Sequence, residues 1–373
     1  MFEILTYKKR FDANKVELVE NCGHPYVVRT SSGNGQKGFI DEDEIYLNDG
    51  NTISFGQDTA TMYYQEVPYF TGDKIKILKS KLSRFGKTNA QFFLATMRNS
   101  FQNFTWGSSS FNVSIIANQK IQLPLKENAL AFSNPCDNVK NIDFDFMESF
   151  IRELEEERIR ELNAYLQTTG LKNYALTVAE QKVLEEFEHV KWGKFRLGDL
   201  FEKIKVNSLK YKTSTLPNIA EKEYDLPALT AGIQNQGLNN YVPRENATVL
   251  KNVISISANG ANTGATFYQS KEFTVLQDAY AIRWMYSDKI LTDDQSLFLV
   301  SAISKSIYGS YEWTNKAGWE RIKNDTIQLP LTPTGEIDFD FMETFIKAIE
   351  KLVIKDVVQY TDKRIAATAQ MVK

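Results

Sequence analysis

Gly33-Asn34-Gly35-Gln36-Lys37-Gly38 spells G-x-G-x-x-G. A dinucleotide loop of that form must close a strand and open a helix, so that free backbone N–H groups meet the pyrophosphate. An apolar run does precede it, but the acidic Phe39-Ile40-Asp41-Glu42-Asp43-Glu44 that follows has no helical periodicity. A second version, Gly232-Ile233-Gln234-Asn235-Gln236-Gly237, breaks the motif. Both therefore read as polar, glycine-rich turns on a strand edge. Nucleophilic and metal chemistry lack the residues they need. His24 and His189 are the only histidines, and Cys22 and Cys136 the only cysteines. Cys22-Gly23-His24 has no third ligand implied, and a Ser/His/Asp set or a disulfide framework has nothing to build on. Asn134-Pro135-Cys136-Asp137 lacks the terminal aromatic that an Asn-Pro-Pro-aromatic site stacks on a flipped base, and reads as a loop turn. Carboxylate pairs such as Asp293-Asp294 are expected on helix surfaces, and no Pro-Asp then Glu-x-Lys nuclease pattern occurs. No catalytic residues, no metal site and no cofactor of the chain's own are expected.

What remains is recognition chemistry. Arg29 to Lys37 and Gln57-Asp58-Thr59 have counterparts in Gln234 to Tyr241 and Asn259 to Thr263. These loops are rich in side chains that both donate and accept at base edges in the major groove. The candidate DNA-contacting residues are Arg29, Ser31, Ser32, Asn34, Gln36, Lys37, Gln57 and Thr59 in the first half. In the second they are Gln234, Asn235, Gln236, Asn239, Asn240, Tyr241, Asn259, Asn262, Thr263, Asn315 and Lys316.

The elements that must position these loops occur twice. Ile121-Gln122-Leu123-Pro124-Leu125 recurs as Ile327-Gln328-Leu329-Pro330-Leu331, and Ile142-Asp143-Phe144-Asp145-Phe146-Met147-Glu148 as Ile337-Asp338-Phe339-Asp340-Phe341-Met342-Glu343. Weaker echoes link Phe2-Glu3 with Phe201-Glu202, Gly38-Phe39 with Gly237-Leu238, Gly56–Gln65 with Gly260–Gln269, and Trp106 with Trp313. A period near two hundred residues is far beyond the roughly 20–50 of a solenoid and implies a duplicated domain. Short apolar runs between Gly, Asn and Asp predict strands and turns, with helices over Asn89–Phe101 and Thr292–Tyr308. The expected fold class is α+β, with two pseudo-symmetric domains separated by two long antiparallel coiled-coil helices.

The first long helix is expected from Asp143 to about Thr168, roughly 40 Å. Asp145 with Glu148, and Asp340 with Glu343, stand at capping-box spacing. Thr177-Val178-Ala179-Glu180 predicts a further capped helix to about Glu188. The implied domains are 1–140, a helical spacer and linker 141–190, a second globule 191–335 and a second helix 336–373.

Composition is that of an ordinary soluble protein, without an apolar run of membrane length or a signal-peptide core, and a cytoplasmic location is expected. A net charge of −3 does not announce a nucleic-acid binder, although lysines cluster at Lys74–Lys87 and Lys203–Lys212 while acids gather at Glu153–Glu161.

Trp192-x-x-Phe195-x-Leu197-x-Asp199-Leu200-Phe201-Glu202 opens the second copy and Ile-x-Leu-Pro closes both. With the duplication and the long helices, the chain resembles the specificity subunit of type I restriction-modification systems along essentially its whole length. That resemblance implies two target recognition domains, each reading one half of a split double-stranded DNA sequence. It also implies two methyltransferase subunits docked on the helices, with restriction subunits bound through them and S-adenosylmethionine held by the methyltransferase. Phe144, Met147, Ile151, Phe339, Met342 and Ile346 are the candidate docking residues. Specificity subunits are not themselves catalytic. One departure stands out: the first copy opens at Met1-Phe2, so an upstream segment or another polypeptide would have to supply the strand equivalent to Trp192–Leu200. A non-catalytic scaffold or carbohydrate-binding protein, or a recognition subunit of a related type II enzyme, are the alternative readings.

Overall fold

The computed structural model describes residues 1–20, 22–101, 112–127 and 139–371, so Trp106 and the Asn134–Asp137 turn lie outside the described residues. The chain forms two compact units, Met1–Leu162 with Arg364–Lys373, and Asn163–Lys363. The division falls within the helices Phe144–Thr168 and Phe339–Met371.

Unit 1 is built on a four-stranded antiparallel sheet in the order β1 (Phe2–Thr6), β7 (Ile75–Ser80), β4 (Thr52–Gly56), β5 (Met62–Gln65). A smaller sheet orders β3 (Gln36–Ile40), β2 (His24–Val27) and β6 (Phe70–Thr71), with β2 and β6 parallel. Strand alternation decides the faces. Ile53 and Phe55 of β4 meet Leu78 and Met62 under helix α1 (Lys87–Phe101), whose Phe93 and Leu94 complete the core. Helix α1 starts two residues before the predicted Asn89, because Asn89 Oδ1 reaches back to accept the Gly86 N–H at 3.1 Å. A short helix α2 (Val113–Asn118) follows, capped by Asn112.

Unit 2 repeats this arrangement. Its sheets run β9 (Phe201–Lys203), β15 (Ala279–Trp284), β12 (Val253–Ser257), β13 (Thr266–Gln269), and β11 (Leu238–Val242), β10 (Leu226–Leu229), β14 (Thr274–Val275). Thr292 and Gln295 close a full capping box on the helix Asp293–Ile307, with Thr292 as its cap and Tyr308 at its end. Among the described residues unit 2 has one strand pairing more than unit 1: β8 (Trp192–Arg196) lies antiparallel to β16 (Thr326–Pro330). The mixed α/β architecture and the internal repeat agree with the sequence reading.

The long helices span Phe144–Thr168 and Phe339–Met371, about 37 and 50 Å at 1.5 Å per residue. Their caps differ from the predicted ones. Asp143 accepts from Phe146 N–H and Asp338 from Phe341 N–H, both at 2.9 Å, so the cap lies two residues before Asp145 and Asp340. Asp145 and Glu148 instead hold Arg84, and Glu343 holds Lys347 and Gln295. The Thr177–Glu180 capping box forms as read, but its helix, Val178–Glu186, ends in a 3-10 turn, Phe187–His189.

Candidate functional site

Each unit presents the predicted Gly/Asn/Gln turn, and each holds it by the same Ser–Gln pair, buried in unit 1 and with its glutamine half-buried in unit 2. In unit 1 the strand Gln36–Ile40 is entered through a 3-10 turn, Gly33–Gly35, in which Asn34 adopts a left-handed φ of 56°. Gln65 is 6 % exposed. Its amide donates to Asn34 O at 3.2 Å and to Ser54 Oγ at 3.1 Å, while Ser54 donates to Tyr63 O at 3.3 Å. In unit 2 the turn is Gln234–Gly237, with Asn235, Gln236 and Gly237 all left-handed at φ 47°, 57° and 87°. Gln269 donates to Gln236 O at 3.1 Å and Ser255 Oγ at 3.0 Å, and Ser255 donates to Phe267 O at 3.4 Å. A left-handed non-glycine residue costs about 1–2 kcal/mol, so such a turn persists only where its surroundings hold it. Gly35 is left-handed as well, at φ 77°, and a Cβ there would sit 2.9 Å from the Tyr63 ring.

Paired tyrosines flank the clamps. Tyr64 donates to Asn51 Oδ1 at 3.0 Å and Tyr268 to Asp293 Oδ1 at 2.6 Å. Burial raises both phenols above their ordinary value, and the Asp293 bond raises Tyr268 further, so both remain neutral donors.

A second loop lies beside each turn and uses one position with opposite polarity. In unit 1 Asp58 binds Arg29 Nη1 at 2.5 Å and Lys74 Nζ at 2.8 Å. In unit 2 the place of Asp58 is taken by Asn259, whose amide donates to Asp278 Oδ1 at 2.8 Å. Lys74 and Asp278 are both left-handed, at φ 55° and 65°. The frame is thus shared while the donors and acceptors it displays differ.

The sequence-predicted residues divide accordingly. Ser31, Ser32, Asn34, Lys37, Thr59, Gln234, Asn235, Gln236 and Asn239 are exposed on these loops, as are Asn315 and Lys316. Gln36, Gln57, Tyr241 and Asn262 are half-buried, as is the ion-paired Arg29. Two residues are corrected. Asn240 is 5 % exposed and spends its amide on Thr213 O, Leu216 O and Asn218 Oδ1. Thr263 is 3 % exposed and accepts from Ala317 N–H. Both hold the loops from behind: alternation along Leu238–Val242 turns Asn240 inward, and Thr263 faces inward from the turn between Val253–Ser257 and Thr266–Gln269. Sequence reasoning missed Gln65, Gln269, Ser54 and Ser255 as the clamp, although the Gly56–Gln65 echo in Gly260–Gln269 contains its two glutamines. It also missed Lys203 and Arg321, which with Lys316 and Trp319 line a cleft of about 330 Å³ in unit 2. Arg321 Nη1 is steered there by Asn315 Oδ1 at 2.6 Å.

The candidate docking residues need correction as well. Met147 and Met342 are 0 % exposed, Phe144 and Ile151 are 8 %, and Phe339 and Ile346 pack against the core of unit 2. The three-and-four spacing marks an apolar stripe correctly, but in unit 1 Phe144 and Met147 cover the core beneath α1. Exposed instead are Phe146 (49 %) and Phe150 (46 %), stacked at 6.0 Å, and Val353 and Tyr360 on the second helix. His24 faces Glu44 at 3.3 Å, and among the described residues no group of His, Cys, Asp or Glu could hold a metal ion. No described helix is long and apolar enough to cross a membrane.

The family described as the type I restriction modification DNA specificity domain matches residues 1–164 and 189–360. The chain is similar to the specificity subunit S.BcgI of a type II restriction enzyme from Heyndrickxia coagulans, with 23 % identity over 348 residues, covering 93 % of this chain and 91 % of that one. Among solved structures it is similar to the type I restriction-modification S subunit from M. genitalium (13 % identity, 99 % and 91 % of the two chains, TM-score 0.49). It is also similar to the HsdS subunit from Thermoanaerobacter tengcongensis (12 %, 91 % and 85 %, 0.31). Two family matches on two units with one repeated loop frame place this chain in the type I restriction-modification DNA specificity family, as a DNA-recognition subunit.

Proposed function

We propose that each unit reads one half of a bipartite DNA sequence with its clamped turn and neighbouring loop. The observation that carries this is the recurrence of the Ser–Gln clamp, which holds an exposed polar turn of different sequence in each unit. Ser31, Ser32, Asn34, Lys37 and Thr59 serve one half-site, and Gln234, Asn235, Gln236 and Asn239 the other. Lys316, Lys203 and Arg321 contact phosphate, which positions the protein without reading sequence. An overall charge of −3 suits a chain that leaves much of the phosphate neutralisation to partners.

The chain is a non-catalytic member of a complex, and methylation is done by methyltransferase subunits that bind S-adenosylmethionine. Those subunits dock on the exposed aromatics Phe146 and Phe150 and on the Val353–Tyr360 stretch. The long helices pair antiparallel and act as the spacer between half-sites. An ion pair that joins the two long helices, Glu155 with Arg364, supports this. The similarity to S.BcgI favours a second setting for the same role, recognition within a type II enzyme.

The test is the set Gln234→Ala, Asn235→Ala, Gln236→Ala and Asn239→Ala in the reconstituted complex, with methylation mapped by single-molecule sequencing. One half-site should relax while the other stays intact. Equal loss at both would refute separate reading.

A further inference from the structure

The sequence carries a tryptophan at matching points of its two halves, Trp106 and Trp313, each two residues after an aromatic side chain, Phe104 and Tyr311. Trp313, which the structure describes, is 70 % exposed. Tryptophan buries most of its large ring in an ordinary fold, so an indole left in water on a firm support is available to something outside the chain.

The support is firm. Trp313 and Thr314 are the tip of a two-residue turn, closed by Glu312 N–H on Asn315 O at 3.1 Å and Asn315 N–H on Glu312 O at 3.0 Å. Thr314 Oγ1 donates to Glu312 Oε1 at 2.7 Å, and Arg321 Nη1 to Asn315 Oδ1 at 2.6 Å. Behind the tip, Tyr311 OH donates to Asp325 Oδ2 at 2.7 Å, and the carbonyl of Ala317, which is 0 % exposed, accepts from Tyr280 OH at 2.9 Å. Ala317 N–H donates to Thr263 Oγ1 at 3.0 Å, which ties the turn to the 259–263 loop. The ring is thus placed before anything binds, and little ordering cost remains to be met on contact.

The surroundings are cationic. Thr314 lines the 330 Å³ cleft together with Lys203, Lys316 and Arg321. Among the described residues none of these three cations is in an ion pair, whereas Glu320, which also lines the cleft, is paired with Lys323. Three unpaired cations beside an exposed indole favour a polyanion with flat apolar faces over an apolar protein pocket.

We infer that Trp313 is a wedge that enters the DNA duplex beside the half-site read by unit 2, while Lys203, Lys316 and Arg321 hold the neighbouring phosphates. This rests on the DNA reading proposed above and adds a contact that touches no base edge. Every base has a π face, so the indole stacks on any sequence. Insertion must unstack one base step, and pyrimidine–purine steps unstack most easily. Trp313 therefore contributes to specificity through the deformability of the DNA, not through hydrogen bonds.

The test uses the chain reconstituted with its methyltransferase subunit, on a duplex carrying the sequence that methylation mapping identifies. Trp313→Ala should weaken DNA binding about 5- to 150-fold, the range for one base–aromatic stack, with circular dichroism unchanged. Trp313→Phe keeps a smaller ring and should lose less. With 5-iodouracil in place of successive thymines in and around the half-site that the Gln234, Asn235, Gln236 and Asn239 variants relax, photocross-linking to Trp313 should occur at one step only. Lys316→Ala should instead lower the slope of log K against log salt by about one and leave the cross-link in place. Unchanged affinity in Trp313→Ala, or no cross-link to Trp313 at any position, would overturn the inference while the Gln234 to Asn239 variants still report on half-site reading. Loss of co-purification with the methyltransferase subunit in Trp313→Ala would overturn it too, since the indole would then be a protein contact.

Discussion

Replacing Gln65 with Ala tests whether the clamp is what lets unit 1 read DNA. The change removes two hydrogen bonds, to Asn34 O and Ser54 Oγ. At about 1 kcal/mol net for each, the loss is roughly 2 kcal/mol. Against this stands the left-handed Asn34, which costs about 1–2 kcal/mol to hold. The clamp and the strain it opposes are therefore of similar size, and without Gln65 the turn is free to leave its native shape. Ser54→Ala removes only one of the two bonds and should leave the turn seated. In gel shifts of the reconstituted complex across salt, with one half-site mutated at a time, Gln65→Ala should lose discrimination at a single half-site. The loss of one base contact is about 1–3 kcal/mol, or about 5- to 150-fold. Gln269→Ala should do the same at the other half-site. A destabilised protein with unchanged discrimination, or equal loss at both half-sites from either variant, would refute the reasoning.

Phe146→Glu with Phe150→Glu should abolish co-purification with the methyltransferase subunit and leave circular dichroism unchanged, whereas Met147→Asp should unfold unit 1, because Met147 is 0 % exposed. Glu180→Gln should cost roughly 2 kcal/mol at neutral pH, less than the ~3–5 of a fully buried pair because Gln keeps the cap. Burial raises the Glu180 carboxyl, but bonds from Lys351 and Thr177 outweigh this and hold it below the usual carboxylate range. Its stabilisation is complete above the unfolded value of about 4.3 and is lost as pH falls through the lowered folded value, so urea midpoints of parent and variant should converge in acid. Adding four residues to each long helix, after Leu154 and Ile349, lengthens both by about 6 Å. If the helices set the spacer, methylation mapping should show it grow by one or two base pairs, at about 3.4 Å each, with half-sites unchanged.

Much of this architecture was legible because duplication is a property of sequence alone. Two motifs in the same order, Ile-Gln-Leu-Pro-Leu and Ile-Asp-Phe-Asp-Phe-Met-Glu, require two like units whatever their fold. Helix periods and the Thr177–Glu180 box are local, so the helices were read to within about two residues. The exposed turns at Asn34 and Gln234–Gln236 were legible for the same reason, since glycine and asparagine in a polar run mark positive φ. What the tertiary structure alone decided is which side of each element faces protein. The Phe144, Met147, Ile151 stripe has the period of a docking face, yet Phe144 and Met147 belong to the core beneath α1. Asn240 looks like Asn239 in sequence, yet one pleat turns it inward to hold three loop acceptors. Gln65 and Asn34 are 31 residues apart, and only the packing of one sheet beside another brings that amide to that carbonyl. Composition and spacing can say that a polar residue exists, but whether it meets water, DNA or a buried backbone group depends on contacts between residues distant in the chain.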